Sequence, residues 1–182
     1  MASSPSPNTP SQYRDRCLRQ LKTLNSELDR WNSTVKSGAG LLESIGERKR
    51  QQLERRESED SGNTAQSNKD TVELQRLCEE LSCACGSLAK VCADLEKSAE
   101  KLGGLASLDH GLDKVATAAR VIARCHKEQC DMNRAVAENV AKSGSEDVLI
   151  LHLAVWMHQP ALESQCDVAR ATVDHVLEDF TL

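Results

Sequence analysis

The sequence predicts an all-α protein in which a long antiparallel helical hairpin, or coiled coil, is followed by a compact helical bundle. Leu and Ala together number 41 of the 182 residues, whereas Val, Ile and Thr number 23, a balance that favours helix over sheet. One proline, Pro160, lies beyond residue 10. Apolar residues recur at helical spacing through most of the chain, so we expect long helices in a single domain.

The first helix is expected to run from about Ser11 to Arg56. The residues before the domain, 1–11, are rich in Ser and Pro and are expected to form a disordered tail, which leaves 12–182 as the helical domain. Within the first helix, apolar side chains step by three and four residues, the spacing of a coiled-coil seam that needs a partner helix. We call this set the first seam: Leu21, Leu24, Leu28, Trp31, Val35, Leu42 and Ile45.

A flexible linker is expected at 57–70, because this stretch is rich in Ser, Asn, Gly and acidic residues. The second helix is then expected to begin near Asp70 or Thr71, with one of these residues as its N-cap. Its leucines keep the heptad spacing until Gly103, which is expected to end the helix. Two consecutive amphipathic helices joined by a linker are typical of an antiparallel hairpin.

The third helix is expected from Leu108 to Lys142, and its apolar residues, Met132 among them, are expected to face inward.

The fourth helix is a short segment, 148–157, which is apolar nearly all round and is therefore expected to be the most buried helix. Ser145 supplies an N-terminal cap, since its hydroxyl suits the exposed amides of a helix start. Pro160 breaks or kinks the chain, because proline lacks the amide hydrogen and disfavours helical geometry in the residue before it. A last helix, 161–179, follows.

No residue pattern indicates catalysis or a cofactor, so we predict a protein that is not an enzyme. The nearest approach to a metal site is Cys125, His126 and Cys130, but structural zinc needs four ligands and the sequence has no Cys-x-x-Cys pair. The eight cysteines are interpreted as reduced thiols, because three of them recur every seven residues on one helical face: Cys78, Cys85 and Cys92. A Cys/His metal or redox protein is the less favoured alternative.

The charge distribution leaves open a nucleic-acid-binding alternative. The net charge is -5, which argues against a dedicated nucleic-acid binder. Residues 12–56 nevertheless carry 11 basic and 6 acidic side chains, with a dense basic stretch from Arg48 to Arg56. We favour the interpretation that this stretch is a solvated helix face. The sequence shows neither a membrane span nor an apolar signal segment, so we expect a soluble intracellular protein and no membrane partner.

Two segments resemble a known family. The segments are Arg76-Leu77-Cys78-Glu79-Glu80-Leu81 and Asn133 to Ser164, above all Ala154-Val155-Trp156-Met157-His158-Gln159-Pro160-Ala161-Leu162-Glu163-Ser164, and they are similar to the cyclin-dependent-kinase-interacting protein (CINP) family. The Trp-Met-His-Gln-Pro run is fairly specific, because it joins a rare Trp to a helix-breaking Pro at fixed spacing. The connection between the second and third helices, 102–111, is shorter than in that family.

The resemblance implies a non-enzymatic nuclear adaptor. We expect the protein in the nucleus and also in the cytoplasm. It implies protein partners: cyclin-dependent and replication-initiation kinases, a checkpoint kinase complex, and an AAA+ ATPase complex with its cofactor subunits. The processes implied are DNA replication, the DNA damage checkpoint, genome maintenance through the cell cycle, and ribosome biogenesis.

The residues expected to bind partners lie in two places. One is the first seam, because a coiled-coil stripe needs to be covered by another helix. The other is the chain break after the fourth helix, because Trp is a frequent hot-spot residue. The alternative interpretation is that the break is a buried corner, which holds the fourth and fifth helices at a fixed angle. The break residues predicted to bind are Trp156, Met157, His158, Gln159 and Pro160.

Overall fold

The computed structural model describes residues 10–57 and 64–181, and every regular element in these residues is helical. The predicted all-α class is therefore confirmed. In these residues, no helix is both long enough and apolar enough to cross a membrane. Three single 3-10 turns, His110–Leu112, Val140–Lys142 and Pro160–Leu162, connect the later helices. The α-helices are α1 (Pro10–Glu57), α2 (Thr64–Ala106), α3 (Asp113–Asn139), α4 (Glu146–His158) and α5 (Gln165–Thr181).

The three long helices pack side by side in alternating directions. Ion pairs join Arg30 to Asp94 at 3.6 Å and Arg48 to Asp70 at 3.6 Å, so α1 and α2 are antiparallel neighbours. The thiol of Cys92 donates a hydrogen bond to the carbonyl oxygen of His126, and that of Cys85 to the carbonyl oxygen of Asn133, so α3 runs antiparallel to α2. This packing is consistent with the predicted hairpin.

The fourth position of the bundle is filled by two short helices in succession. Glu146 at the start of α4 pairs with Arg50 of α1 at 2.9 Å. At the other end, Arg14 near the start of α1 donates to the carbonyl oxygens of Asp179 and Phe180 in α5. Helices α4 and α5 therefore descend along α1 in the opposite direction, and the chain forms an up-down-up-down bundle whose last member is broken at residues 159–164.

The second helix begins earlier than predicted. Helix α1 continues to Glu57 and helix α2 starts at Thr64, so eight residues of the predicted linker 57–70 are helical, and its central part, 58–63, lies outside the described residues. Asp70 is not an N-cap. It is 5% exposed within α2 and pairs with Arg48 and Arg55 of α1, an arrangement that extends the hairpin by ion pairing between the two helices. The predicted tail, 1–11, lies almost wholly outside the described residues.

The other boundary differences are smaller. Gly103 does not end α2, which continues to Ala106. The fourth helix begins directly after Ser145, as expected, and Glu146 and Asp147 occupy its first turn, but the hydroxyl of Ser145 makes no capping hydrogen bond. In α3, Met132 does not face inward but is 43% exposed. The buried positions beside it belong to polar residues, Gln129 and Asn133, because each finds a hydrogen-bond partner inside the bundle.

Candidate binding surface

Trp156 anchors α4 to α1 through a glycine. Its side chain is 0% exposed, and its Nε1 donates a hydrogen bond of 2.9 Å to the carbonyl oxygen of Val35. A Cβ at Gly38 would lie 2.2 Å from Cζ2 of the indole, far inside van der Waals contact. Gly38 therefore lets the Nε1 edge of the indole approach the backbone of α1 closely.

Gln159 closes the corner after α4. Its backbone is in the left-handed region, with φ of 48°, and its N–H donates to the carbonyl oxygen of Val155. Its Oε1 accepts a hydrogen bond of 2.6 Å from Nε1 of Trp31 in α1. The ring of Trp31 in turn makes an edge-to-face contact with His126 of α3, with 4.8 Å between centroids. The corner therefore ties α1, α3 and α4 together.

The side chain of Gln129 in α3 makes hydrogen bonds to backbone groups on both sides of the break. Its Nε2 donates to Oδ1 of Asn133 and to the carbonyl oxygen of Val155, at 2.9 and 3.3 Å. Its Oε1 accepts a hydrogen bond of 3.1 Å from the N–H of Ala161, just past Pro160. A chain break buried against a helix leaves polar backbone groups that need partners, and this one side chain supplies two of them.

The residues predicted at the break divide into two groups. Trp156 is buried and Gln159 is partly buried, and both make the hydrogen bonds that position the corner. Met157, His158 and Pro160 are exposed on the surface. Trp156 and Gln159 therefore hold the corner together, as the alternative interpretation of the break has it. The side chains of the other three residues are accessible to a partner.

The first seam is covered by this chain's own helices. Each of its members is at most 7% exposed, and all seven lie in one core with side chains of α2, α3 and α4: Leu21, Leu24, Leu28, Trp31, Val35, Leu42 and Ile45. A partner protein could reach them only if the bundle opened. In the described fold the helices that cover the seam come from the same molecule.

Helix α4 is not the most buried helix, and its outer surface is apolar. Two of its residues, Leu149 and Trp156, are buried. Ile150 is 56% exposed, Leu151 59% and Met157 52%. The prediction was wrong because α4 lies on the outside of α1 and α3, so that one side of it is covered and the other is not.

This exposure distinguishes α4 from an ordinary surface helix. Solvent-facing positions of a helix are normally polar, and single exposed apolar residues are common. Here four apolar side chains of one short helix are exposed, together with the polar side chains of Asp147 and His158, and exposed apolar groups are typical of an interaction site. We define this α4 surface by four residues: Val148, Ile150, Leu151 and Met157.

The sequence around the α4 surface is strongly acidic. Residues 146–181 contain seven acidic side chains and one basic side chain, Arg170. Glu146 and Asp147 lie at the first turn of α4, and Asp167 lies in the first turn of α5. Cations accompany these carboxylates, because Arg50 pairs with Glu146 and Arg124 donates to the side chain of Gln165 at the start of α5.

A second apolar depression lies between α3 and α5. It has a volume of about 680 Å³. Thr117 and Val121 line it from α3, and Val168 and Thr172 from α5. Val168 is 71% exposed. Asp113 and Lys114 of α3, and Ser164 and Gln165 before and at the start of α5, also line this groove.

Most of the cysteines, and one of the histidines, His126, are buried in the interior. All eight cysteines are free, and six of them are buried. Burial lowers the pKa of His126 to about 4, and its Nδ1 lies 2.8 Å from the carbonyl oxygen of Ile122. Burial likewise raises the pKa of Cys166 to about 12. In the part of the chain that the structure describes, no three His, Cys, Asp or Glu side chains are grouped to hold a metal ion.

The basic stretch of α1 is largely engaged within the molecule. Arg48 and Arg55 pair with Asp70, and Arg50 pairs with Glu146. Lys49 donates to the carbonyl oxygen of Ala141. These cations therefore neutralise carboxylates or cap a helix end within the molecule, while their side chains stay partly exposed.

No protein-family model and no curated protein matches this sequence.

Sequence reasoning missed Ile150 and Leu151 and assigned them to the interior. The available signal was the all-round apolar character of a short helix between Gly144 and Pro160. Such a segment is either buried on every side or exposed on one side for a partner, and its sequence does not distinguish the two.

Proposed function

We propose that this chain is a non-enzymatic helical adaptor that binds other proteins through the α4 surface. The observation that carries the proposal is the exposure of Ile150, Leu151 and Met157 on a helix that Trp156 and Gln159 hold in place. A rigid apolar helix face is suited to binding a partner helix, because little conformational entropy is lost when it is covered.

The resemblance to the CINP family supports the same function. The most specific matching run, Trp156 to Pro160, spans the end of α4 and the corner after it, Ala154 and Val155 precede it on α4, and 161–164 lie in the break before α5. By this resemblance we propose a nuclear protein that links cyclin-dependent and replication-initiation kinases with a checkpoint kinase complex. We propose further that it is a subunit of an AAA+ ATPase complex acting in genome maintenance and ribosome maturation.

The test is recovery of these partners from nuclear extracts by the tagged full-length protein. The wild type is expected to recover the AAA+ ATPase and at least one of the kinases, and Ile150→Ser/Leu151→Ser is expected to lose them. The matched control is Val72→Ser, which removes an apolar side chain 68% exposed on α2, away from α4. Circular dichroism should show all three proteins equally helical, because the substituted side chains are exposed.

Recovery of none of these proteins by the wild type would refute the proposed assembly. Equal recovery by the wild type and by Ile150→Ser/Leu151→Ser would refute the use of the α4 surface. Substitutions in the first seam are unsuitable for this test: Leu28 and Leu42 are 4% and 3% exposed, so a carboxylate there would unfold the bundle.

A further inference from the structure

We propose that α4 and α5 open from the rest of the bundle as one unit. We call residues 146–181 the cover, and the helices α1, α2 and α3 the body. In the closed fold the cover shields the first seam, and opening would bring Trp31 and Val35, which hydrogen-bond to the cover, into contact with solvent. The inference concerns a motion of the molecule and rests neither on the proposed partners nor on the α4 surface.

Few residues of the cover are fully buried. Helix α3 buries 12 of its 27 residues, whereas α4 buries two of its 13, Leu149 and Trp156. In the described part of α5 the buried residues are small: Cys166, Ala169 and Val173. Further apolar side chains of the cover pack against the core but stay partly exposed: Leu153, Val155, Leu162, Val176, Leu177 and Phe180. Because apolar burial is the main source of stability, the cover is held less firmly than α3.

The two ends of the cover are attached through exposed groups. At one end Arg50 pairs with Glu146, and both side chains are about half exposed. At the other end Arg14 donates to the carbonyl oxygens of Asp179 and Phe180 and lies over the Phe180 ring, 5.1 Å from its centroid. Exposed interactions of this kind contribute little to stability, so the ends do not hold the cover closed.

The corner after α4 is the main attachment of the cover. Of the largest fully buried side chains in the described residues, one belongs to the cover, Trp156. It lies against Gly38 and donates to the carbonyl oxygen of Val35, and three residues later Gln159 accepts from Trp31. Because this anchor lies where α4 leads into α5, its release frees both helices together.

The backbone at the break is constrained in the closed state. Within 10–57 and 64–181, the residues other than glycine that have a positive φ are Gln159, at 48°, and Ser164, at 64°. Residues with a Cβ disfavour this region, and here they lie at the two ends of the break. Opening relaxes this constraint, which lowers the cost of leaving the closed state.

The connection from α3 to the cover is suited to act as a hinge. The 3-10 turn Val140–Lys142 follows α3, and three residues, 143–145, lead from it into α4. Gly144 is exposed, and a Cβ there would have no neighbour within 4 Å. Such a position can absorb a change of chain direction without disturbing its surroundings.

Two buried cysteines that contact the same histidine provide the test. In the body, the thiol of Cys92 donates to the carbonyl oxygen of His126 at 3.4 Å; in the cover, Sγ of Cys166 lies 4.0 Å from Nδ1 of the same residue. Burial raises the pKa of Cys166 to about 12, and a hydrogen bond with Cys130 together with burial raises the pKa of Cys92. Neither thiol is therefore reactive in the closed state. Opening uncovers Cys166, whereas Cys92 stays between α2 and α3.

The full-length protein is treated with iodoacetamide under native conditions, and mass spectrometry follows the alkylation of each cysteine. The rate reports the opening equilibrium when closing is faster than alkylation. We expect Cys166 to react about tenfold or more faster than Cys92. Gly40→Ala strengthens α1, which is helical in both the closed and the open state. It should slow Cys92 about two- to fivefold and leave Cys166 unchanged.

Gly38→Ala tests whether the cover moves as one unit. The substitution displaces Trp156, which lies in α4, whereas the thiol that is followed, Cys166, lies in α5. If the two helices open together, Cys166 should react about a hundredfold faster than in the wild type. Hydrogen exchange measured by mass spectrometry should show the amides of α4 and α5 accelerated by the same factor.

Equal rates at Cys166 and Cys92 in the wild type, or slowing of both by Gly40→Ala, would overturn the proposal, because both thiols would then be exposed by global unfolding alone. Faster exchange in α4 with Cys166 unchanged in Gly38→Ala would overturn the opening as one unit. If Gly38→Ala does not fold, the wild type and Gly40→Ala still decide whether the cover opens. Hydrogen exchange of the wild type then decides whether α4 and α5 open at one rate.

Discussion

The contact between Gly38 and Trp156 makes a sharp prediction about stability. In an exposed helix interior, replacing Gly by Ala stabilises the helix by about 1 kcal/mol. At Gly38 the new Cβ would lie 2.2 Å from Cζ2, 2.6 Å from Cε2 and 2.9 Å from Nε1 of the indole, where ordinary contacts are 3.4–4 Å. Trp156 would have to move by more than an ångström, although it is fully buried and hydrogen-bonded to Val35.

The expected cost has two parts. Overpacking a core costs about 1–3 kcal/mol, and separating Nε1 of Trp156 from the carbonyl oxygen of Val35 costs about 1–3 kcal/mol. After the helix-propensity gain of about 1 kcal/mol, Gly38→Ala should destabilise the protein by about 3 kcal/mol, which corresponds to a decrease in Tm of roughly 6–12 °C. Urea unfolding followed by circular dichroism at the helical band measures this free energy.

Gly40 supplies the matched control. It lies in the same helix, two residues further on, and a Cβ there would have no neighbour within 4 Å. Gly40→Ala should therefore stabilise the protein by about 0.5–1 kcal/mol. In the Trp156→Leu background, Gly38→Ala should lose most of its cost, because the atoms it meets are absent. The reasoning is refuted if Gly38→Ala and Gly40→Ala have the same effect on the free energy of unfolding.

Three further predictions concern the corner, the buried imidazole and the thiols. Trp31→Phe leaves Oε1 of Gln159 without its donor and should cost about 1–3 kcal/mol in urea unfolding; a loss below about 0.5 kcal/mol would contradict the role of this hydrogen bond. Burial lowers the pKa of His126 from 6.5 to about 4, so its contribution to stability is present above about pH 6.5 and is lost as the pH falls toward 4. Between pH 7 and pH 4 the wild type should therefore lose about 3 kcal/mol more than His126→Gln, and parallel curves would contradict this. Native thiol titration should find Cys83 reacting first, since it is the exposed cysteine, while Cys17, buried and with its pKa raised to about 11, reacts only as the protein unfolds; a fast reaction at Cys17 would contradict its burial.

The heptad spacing was sufficient to predict the interior of the hairpin. The first seam and the leucines of α2 are buried in a single core. A helix with one apolar stripe buries it by turning that face toward its neighbours, so the stripe predicts the buried face. Pro160 likewise predicted the break between the last two helices, since proline cannot donate the hydrogen bond that would continue α4. These features follow from local chemistry.

Three predictions failed because they depended on contacts between helices. Asp70 has the residue type of an N-cap, yet it binds arginines that are distant in sequence and close only in the folded hairpin. Met132 is apolar and is expected inside, but Gln129 and Asn133 are buried instead: Gln129 donates to Oδ1 of Asn133 and to the carbonyl oxygen of Val155 beside the break. The buried face of α4 could not be predicted from its sequence, because apolar residues occur on nearly every side of the helix.

The sequence by itself determined that the chain is helical, where most of its helices lie and which stripe of α1 faces the core. The physical reason is that helix propensity, proline geometry and apolar periodicity act over a few residues. The tertiary structure decided which polar side chains hold the corner after α4 and which apolar residues remain in contact with water. Those outcomes depend on how many neighbours each helix finds, and α4 has neighbours on one side, which leaves Ile150 and Leu151 available to a partner.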